Sequence, residues 1–248
     1  MAGKIVSPVY ALYQFLWASL DWFYPPFCGG CGNFGNRWCP TCQAQIEVLP
    51  TKICICCGDI WVNGGICNHC LNNPPFFKGL RSYALFKGPI REAIHNLKYR
   101  RDIGLGEALA KHLIDYFNLL NWPIDLIMPV PLSRKRFNER GYNQATLLSR
   151  PLALSQQISF RSNALKKVKE TTTQVGLPAA GRLQNVLGAF WSDNRLVSGK
   201  QVLVIDDVAT TGATLNACAK ALIDSGARDV YCLTLTRATF QTELMNNP

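Results

Sequence analysis

The chain has 248 residues, 48% apolar and 17% charged, with a formal net charge of +10. That length and apolar content accommodate one large domain or two smaller ones with a sizeable core. Nine of the eleven cysteines lie between Cys28 and Cys70, and the first residues lack the apolar core and cleavage site of a secretory signal, which argues against a secreted disulfide framework and for metal binding.

Residues 1–24 place Val9, Leu12, Tyr13, Leu16, Trp17, Leu20 and Phe23 at steps of three and four, one face of a helix. Gln14, Ser19 and Asp21 interrupt the run, which is too short and polar for a membrane span. The helix is expected to pack on its own domain; the alternative is a peripheral membrane contact, at the inner face, through Trp17, Trp22 and Tyr24. Pro25 and Pro26 end it.

Residues 25–73 carry four CxxC units: Cys28/Cys31, Cys39/Cys42, Cys54/Cys57 and Cys67/Cys70. Each presents two thiolates from a tight turn, and two such turns complete a tetrahedral zinc site. Gly32 and Gly58 follow the first and third units and permit the sharp knuckle. The spacing favours two sequential ribbons, and interleaved pairing remains open. Sites closed by four thiolates are structural, and chelation is expected to unfold this module while leaving the rest folded. Cys56 and His69 are spare.

Asn72 to Pro75 reads as a linker into an α/β domain over 76–240. Strands are expected at Leu80–Phe86, Ile124–Met128, Asn163–Val168, Gln201–Ile205 and Asp229–Leu235. Helices are expected at Ile90–Tyr99, Gly104–Leu120, Gly141–Leu154 and Leu215–Ser225. Pro129–Arg140 reads as a basic loop, and Lys169–Gly181 as a polar one. This alternation argues a parallel sheet. Basic residues cluster at Lys98/Arg100/Arg101, at Arg134/Lys135/Arg136/Arg140 and at Arg161/Lys166/Lys167/Lys169. Such clusters fit a small polyanion, nucleic acid or anionic lipid.

The chemistry concentrates in 201–214, QVLVIDDVATTGAT. A buried apolar strand delivers two carboxylates, Asp206 and Asp207, and then a loop of small and hydroxyl residues that opens a helix. In that loop backbone N–H groups converge, Gly212 removes a blocking Cβ, and the helix directs its positive end at the same point. The loop suits a phosphate; the carboxylates suit ribose hydroxyls or a hydrated magnesium ion beside it.

VLVIDDVATTGAT resembles the 5-phosphoribosyl-1-pyrophosphate (PRPP) signature of type I phosphoribosyltransferases. The resemblance implies that Asp206 and Asp207 hold the ribose hydroxyls and that Ala209, Thr210, Thr211, Gly212, Ala213 and Thr214 cradle the 5-phosphate. By the same resemblance Pro131, Leu132 and Ser133 belong to the pyrophosphate loop, with Arg134, Arg136 and Arg140 neutralising the leaving group. Lys166–Arg182 falls where such enzymes carry a mobile catalytic loop, with Lys167, Thr172, Gln174 and Arg182 as contacts. Thr210 stands where purine-salvage enzymes for hypoxanthine and guanine place an acid, which disfavours a 6-oxopurine acceptor.

DLIMPVPLSRKRFNERGYNQA (125–145) and KETTTQVGLPAAGRLQNVLGAF (169–190) resemble the ComF/GntX family of competence-associated proteins. That resemblance implies a cytoplasmic, PRPP-binding phosphoribosyltransferase fold acting on internalised single-stranded DNA, with zinc and magnesium as cofactors and competence or DNA-translocation proteins as partners. The alternative is a non-catalytic module that binds single-stranded DNA or protein and uses the PRPP pocket as a sensor. Tyr99, Phe137 and Tyr142 lie among the charges, either to stack bases or, as the preferred reading, to fill the core.

Overall fold

The continuous apolar runs of the second half become strands buried on both faces, as a parallel sheet requires. The structure, a computed structural model, describes residues 7–169 and 188–238. Five parallel strands form the sheet in the order β1 (Gly79–Leu85), β7 (Asp229–Arg237), β6 (Gln201–Ala209), β2 (Leu126–Pro129) and β3 (Ser159–Phe160). On one face Val202, Val204, Val230 and Cys232 pack against Leu215, Cys218 and Leu222 of helix α9 (Ala213–Asp224). On the other, Leu203, Ile205 and Leu233 meet helices α4 (Gly88–Tyr99), α5 (Gly104–Leu120) and α7 (Gln144–Gln156). Leu97, Leu109, Leu113, Leu148 and Leu152 are fully buried there. Burying each contributes about 1.5–3 kcal/mol, so this layer holds the helices that carry the site.

Three expectations change. Residues 134–140 are not a loop: they form α6 (Arg134–Arg140), because Ser133 Oγ accepts from Arg136 N at 3.3 Å as an N-cap and Gly141, at φ +81°, ends the helix. The strand expected at 163–168 shortens to β4 (Leu165–Lys167) and leaves the sheet, pairing antiparallel with β5 (Phe190–Ser192) in a separate two-stranded sheet against α9. Strand β6 does not stop at Ile205 but runs on through both acids to Ala209, because Asp206, Val208 and Ala209 stay in register with Thr234, Thr236 and Arg237. Asp207 is consequently 3% exposed, inside the core rather than at an open strand end.

Helix α1 (Pro8–Phe23) packs through Tyr10, which is buried with Tyr13 stacked on it at 6.3 Å, whereas Val9, Leu12, Leu16, Leu20 and Phe23 of the expected packing face stand exposed. Trp17 lies under the Arg37 guanidinium at 5.2 Å, and Arg37 also bonds Asp21 and Asp102. Trp17 is therefore turned to the protein, and of the three interfacial candidates Trp22 and Tyr24 stand exposed. Among the described residues no helix is long and apolar enough to cross a membrane. Short helices α2 (Pro40–Ala44) and α3 (Asn68–Asn72) belong to the cysteine-rich segment, and α8 (Asn194–Val197) precedes β6.

Candidate active site and zinc centres

The eight CxxC cysteines gather as two sequential tetrads, Cys28/Cys31/Cys39/Cys42 and Cys54/Cys57/Cys67/Cys70, each with its sulfurs within 4.8 Å of one another. Interleaved pairing is thereby excluded, and Cys56 and His69 stand outside both tetrads. Gly32 at φ +77° and Gly58 at φ +66° close the knuckles, donating to the carbonyls of Cys28 and Cys54 at 2.8 and 3.0 Å. Sulfur pairs at 3.6, 3.7 and 3.8 Å fit the edge of a tetrahedron around zinc, about 3.8 Å for a zinc–sulfur bond of about 2.3 Å. Backbone N–H groups of Cys39 and Cys67 reach the sulfurs of Cys28 and Cys54 at 3.4 and 3.3 Å. Although burial opposes it, such N–H donors bring Cys28 down to about 6 and Cys54 to about 7, while burial and neighbouring sulfurs push Cys42, Cys57 and Cys70 up, so each set ionises fully only around a cation. Both tetrads fit structural zinc.

The second constellation lies at the carboxyl edge of the sheet, where open α/β sheets bind ligands. Strand β6 ends in Ala209; Thr210 and Thr211 stand exposed, and Gly212 takes φ +78° as the N-cap of α9. Thr211 Oγ1 accepts from Ala213 N at 3.3 Å, while Thr214 is exposed in the first turn. The helix of twelve residues brings its positive end to this loop. Pro129 pairs with Ile205, so Pro131, Leu132 and Ser133 leave the sheet beside the acids.

Asp206 and Asp207 start from opposite faces of β6, because strand side chains alternate, yet their carboxyls stay within hydrogen-bond reach of each other. Asp206 is half-buried on the side of Cys218 and Cys232; burial first, and then the Asp207 charge, hold its carboxyl well above the usual range. Asp207 points toward α4 and α7. Burial opposes its charge, yet the Lys98 ammonium ion-paired to Oδ2 and Gln144 Nε2 donating to Oδ1 at 3.2 Å keep its carboxyl low. Arg140 NH1 donates to Gln144 Oε1 at 2.7 Å and lies 5.2 Å over the Tyr99 ring. Lys98, Tyr99, Arg101, Arg136, Glu139 and Arg140 line a cavity of about 310 Å³.

The structure thus links Arg140 to Asp207 through Gln144, places Arg136 in the cavity lining and leaves Arg134 exposed outside it. Lys167 sits on β4 of the two-stranded sheet, its ammonium 5.9 Å from the Phe190 ring centroid. Thr172, Gln174 and Arg182 lie outside the described residues. Tyr99 and Phe137 are 63% and 49% exposed, which corrects their reading as core, whereas Tyr142 is half-buried with its hydroxyl on the Leu97 carbonyl. Lys98 and Gln144 are the residues not anticipated as Asp207 partners. The basic cluster contained Lys98, but no spacing announces its partner, and a neutral Gln144 at a helix start carries no signal.

Two family models match the chain: a double zinc ribbon domain over residues 19–71 and a phosphoribosyl transferase domain over 106–245. The chain is 34% identical over 213 residues to competence protein F of Haemophilus influenzae, covering 82% of this chain and 91% of that one. It is 34% identical over 212 residues to the DNA utilization protein YhgH of Salmonella typhimurium, covering 81% and 92%. Competence protein ComFC of Bacillus subtilis is 28% identical over 213 residues, covering 82% and 85%. Parallel sheet, matched domain and paired thiolate tetrads define a phosphoribosyltransferase-fold protein with an N-terminal double zinc ribbon. The chain belongs to the ComF family, with competence protein F, ComFC and YhgH among its relatives.

Proposed function

We propose that the chain binds PRPP with magnesium and acts, as a phosphoribosyltransferase-family protein, on internalised single-stranded DNA during DNA uptake. The observation that supports PRPP most is the open loop Ala209–Thr214 at a helix N-terminus, directly after the two acids of β6, with the Lys98 that pairs with Asp207 lining a largely basic cavity. In this reading Ala209 to Thr214 take the 5-phosphate, and Asp206 and Asp207 serve the ribose hydroxyls. Pro131 to Ser133, Arg134 and Arg140 receive the pyrophosphate as negative charge builds on it. Lys167 and Arg182 contact the reacting centre. Asp206 and Asp207 would hold magnesium through its waters, and the ion would supply positive charge to offset that of the pyrophosphate.

The names of the relatives support the setting: competence in Haemophilus influenzae and Bacillus subtilis, DNA utilization in Salmonella typhimurium. A cytoplasmic site of action, at the inner face of the membrane, agrees with the exposed Trp22 and Tyr24. The test is pyrophosphate release from PRPP in the presence of a panel of bases, amines and oligonucleotides. Release with one acceptor class supports a transferase. PRPP binding without release from any acceptor supports the sensor, and absence of PRPP binding overturns the reading.

A further inference from the structure

The zinc ribbons are separate from the chemistry in sequence, yet the second one touches the phosphate loop's own supports. Two connections run from its first knuckle. Cys56 O accepts from Leu80 N at 2.7 Å, and the Leu80 side chain lies directly against Gly212, with Cδ2 3.5 Å from where a Cβ on that glycine would stand. Cys57 O accepts from Arg237 NH1 at 2.8 Å, and Arg237 pairs in the ladder with Ala209, the residue that opens the loop. Ala238 N adds a bond to Ala209 O at 2.9 Å.

Arg237 is 3% exposed, an unusual place for a guanidinium unless it is held. Its Nε lies 3.4 Å from Asp59, which belongs to the same ribbon. The fit is also steric: a Cβ on Gly58 would come within 2.3 Å of Leu80 O, so the knuckle lies flat on β1. The first ribbon docks elsewhere. Asn96 Nδ2 donates to Gly29 O at 2.8 Å, and Gly29 faces Leu105, so its contacts are with α4 and α5.

We propose that the second zinc centre is a buttress of the phosphate loop, with Arg237 as the positioning residue that transmits it; the first centre has no such role. Zinc fixes the knuckle, and the knuckle's carbonyls fix Leu80 and Arg237. Those two residues fix where Gly212 and Ala209 stand, and hence where the loop's N–H groups converge. A loop pre-organised in this way loses less freedom when it takes a phosphate. The loop's taking a phosphate rests on the function proposed above, and its bracing does not.

The test separates the two. Full-length protein is prepared as wild type, Cys70→Ser in the second tetrad, Cys31→Ser in the first, and Arg237→Met, which keeps both tetrads and the apolar stem. Zinc content is measured first, then amide exchange of the peptide covering 206–218, then PRPP affinity by calorimetry. Bracing predicts that exchange in 206–218 quickens about tenfold or more in Arg237→Met and Cys70→Ser, as opening of the loop becomes easier. It predicts little change there in Cys31→Ser. PRPP affinity should fall about tenfold in the same two variants, because a loop no longer held in place loses more freedom when it takes the phosphate. Should Cys70→Ser fail to fold, Arg237→Met alone decides, because its zinc sites are intact. Unchanged exchange in Arg237→Met, or equal quickening in Cys31→Ser, overturns the proposal. Quickened exchange with no PRPP binding by wild type upholds the bracing and overturns the ligand.

Discussion

Replacing Lys98 by Met leaves the Asp207 carboxylate buried with its cation gone. Asp207 is 3% exposed, the Lys98 side chain is 20% exposed, and the carboxylate keeps Gln144 and the neighbouring Asp206 carboxyl as partners. Breaking a buried pair by removing one partner costs about 3–5 kcal/mol, and the surviving partners and the partial exposure of Lys98 place this one near the lower end. At about 3 kcal/mol, and about 2–4 °C per kcal/mol for a chain of this size, Tm should fall by about 6–12 °C. The double variant Lys98→Met/Asp207→Asn removes the stranded charge while keeping shape, and Asn can still accept from Gln144. Its Tm should return most of the way to wild type. Thermal and urea unfolding of the zinc-loaded proteins measure this. Additive losses in the double variant, or an unchanged Lys98→Met, would refute the claim that the Lys98 charge is there to compensate Asp207.

Three further outcomes follow from the same geometry. Asp206 has a raised carboxyl pKa, so its proton is held more tightly folded than unfolded; its stability contribution is present below the unfolded value near 3.8 and is lost as pH rises through the folded one. Asp206→Asn should therefore raise the Tm of ligand-free protein at neutral pH and gain little near pH 4, and a gain independent of pH would contradict this. Metal analysis should find two zinc ions per chain, and chelation should now destabilise the α/β domain as well as the ribbons, because the second knuckle bonds β1 and β7; melting of the domain unaffected by chelator would contradict it. If the basic clusters track single-stranded DNA, log affinity against log salt should slope at roughly −0.7 per phosphate neutralised, and a flat response would leave those charges to PRPP.

Much of this was legible in the chain. The paired CxxC units named the zinc ligands because thiolate chemistry needs that local spacing, and Gly32 and Gly58 marked the knuckles. Val202–Ile205 announced a strand buried on both faces, and Gly212 the turn into α9. What stayed hidden depends on long-range placement. Lys98 and Asp207 are over a hundred residues apart, and no local pattern pairs them. Alternation of side chains along β6 divides two acids that look equivalent as neighbours in sequence. The helix at 134–140 was masked by Pro129 and Pro131, whose effect ends before the Ser133 cap.

The central claim is that the strand-end acids and the threonine loop bind PRPP. Calorimetry of the zinc-loaded wild type and of Asp206→Asn, with and without magnesium, tests it most directly. Asp206 is chosen because it is half-buried and its raised carboxyl is neutral in free protein, so its substitution removes a ligand contact without stranding a charge. The account predicts saturable binding by wild type, strengthened by magnesium. Asp206→Asn should bind about tenfold or more weakly, because the cation that accompanies PRPP draws the carboxyl into its charged form and an amide cannot supply that charge-assisted bond. No heat of binding in wild type, or equal affinity in the variant, would contradict the phosphoribosyl reading of this site.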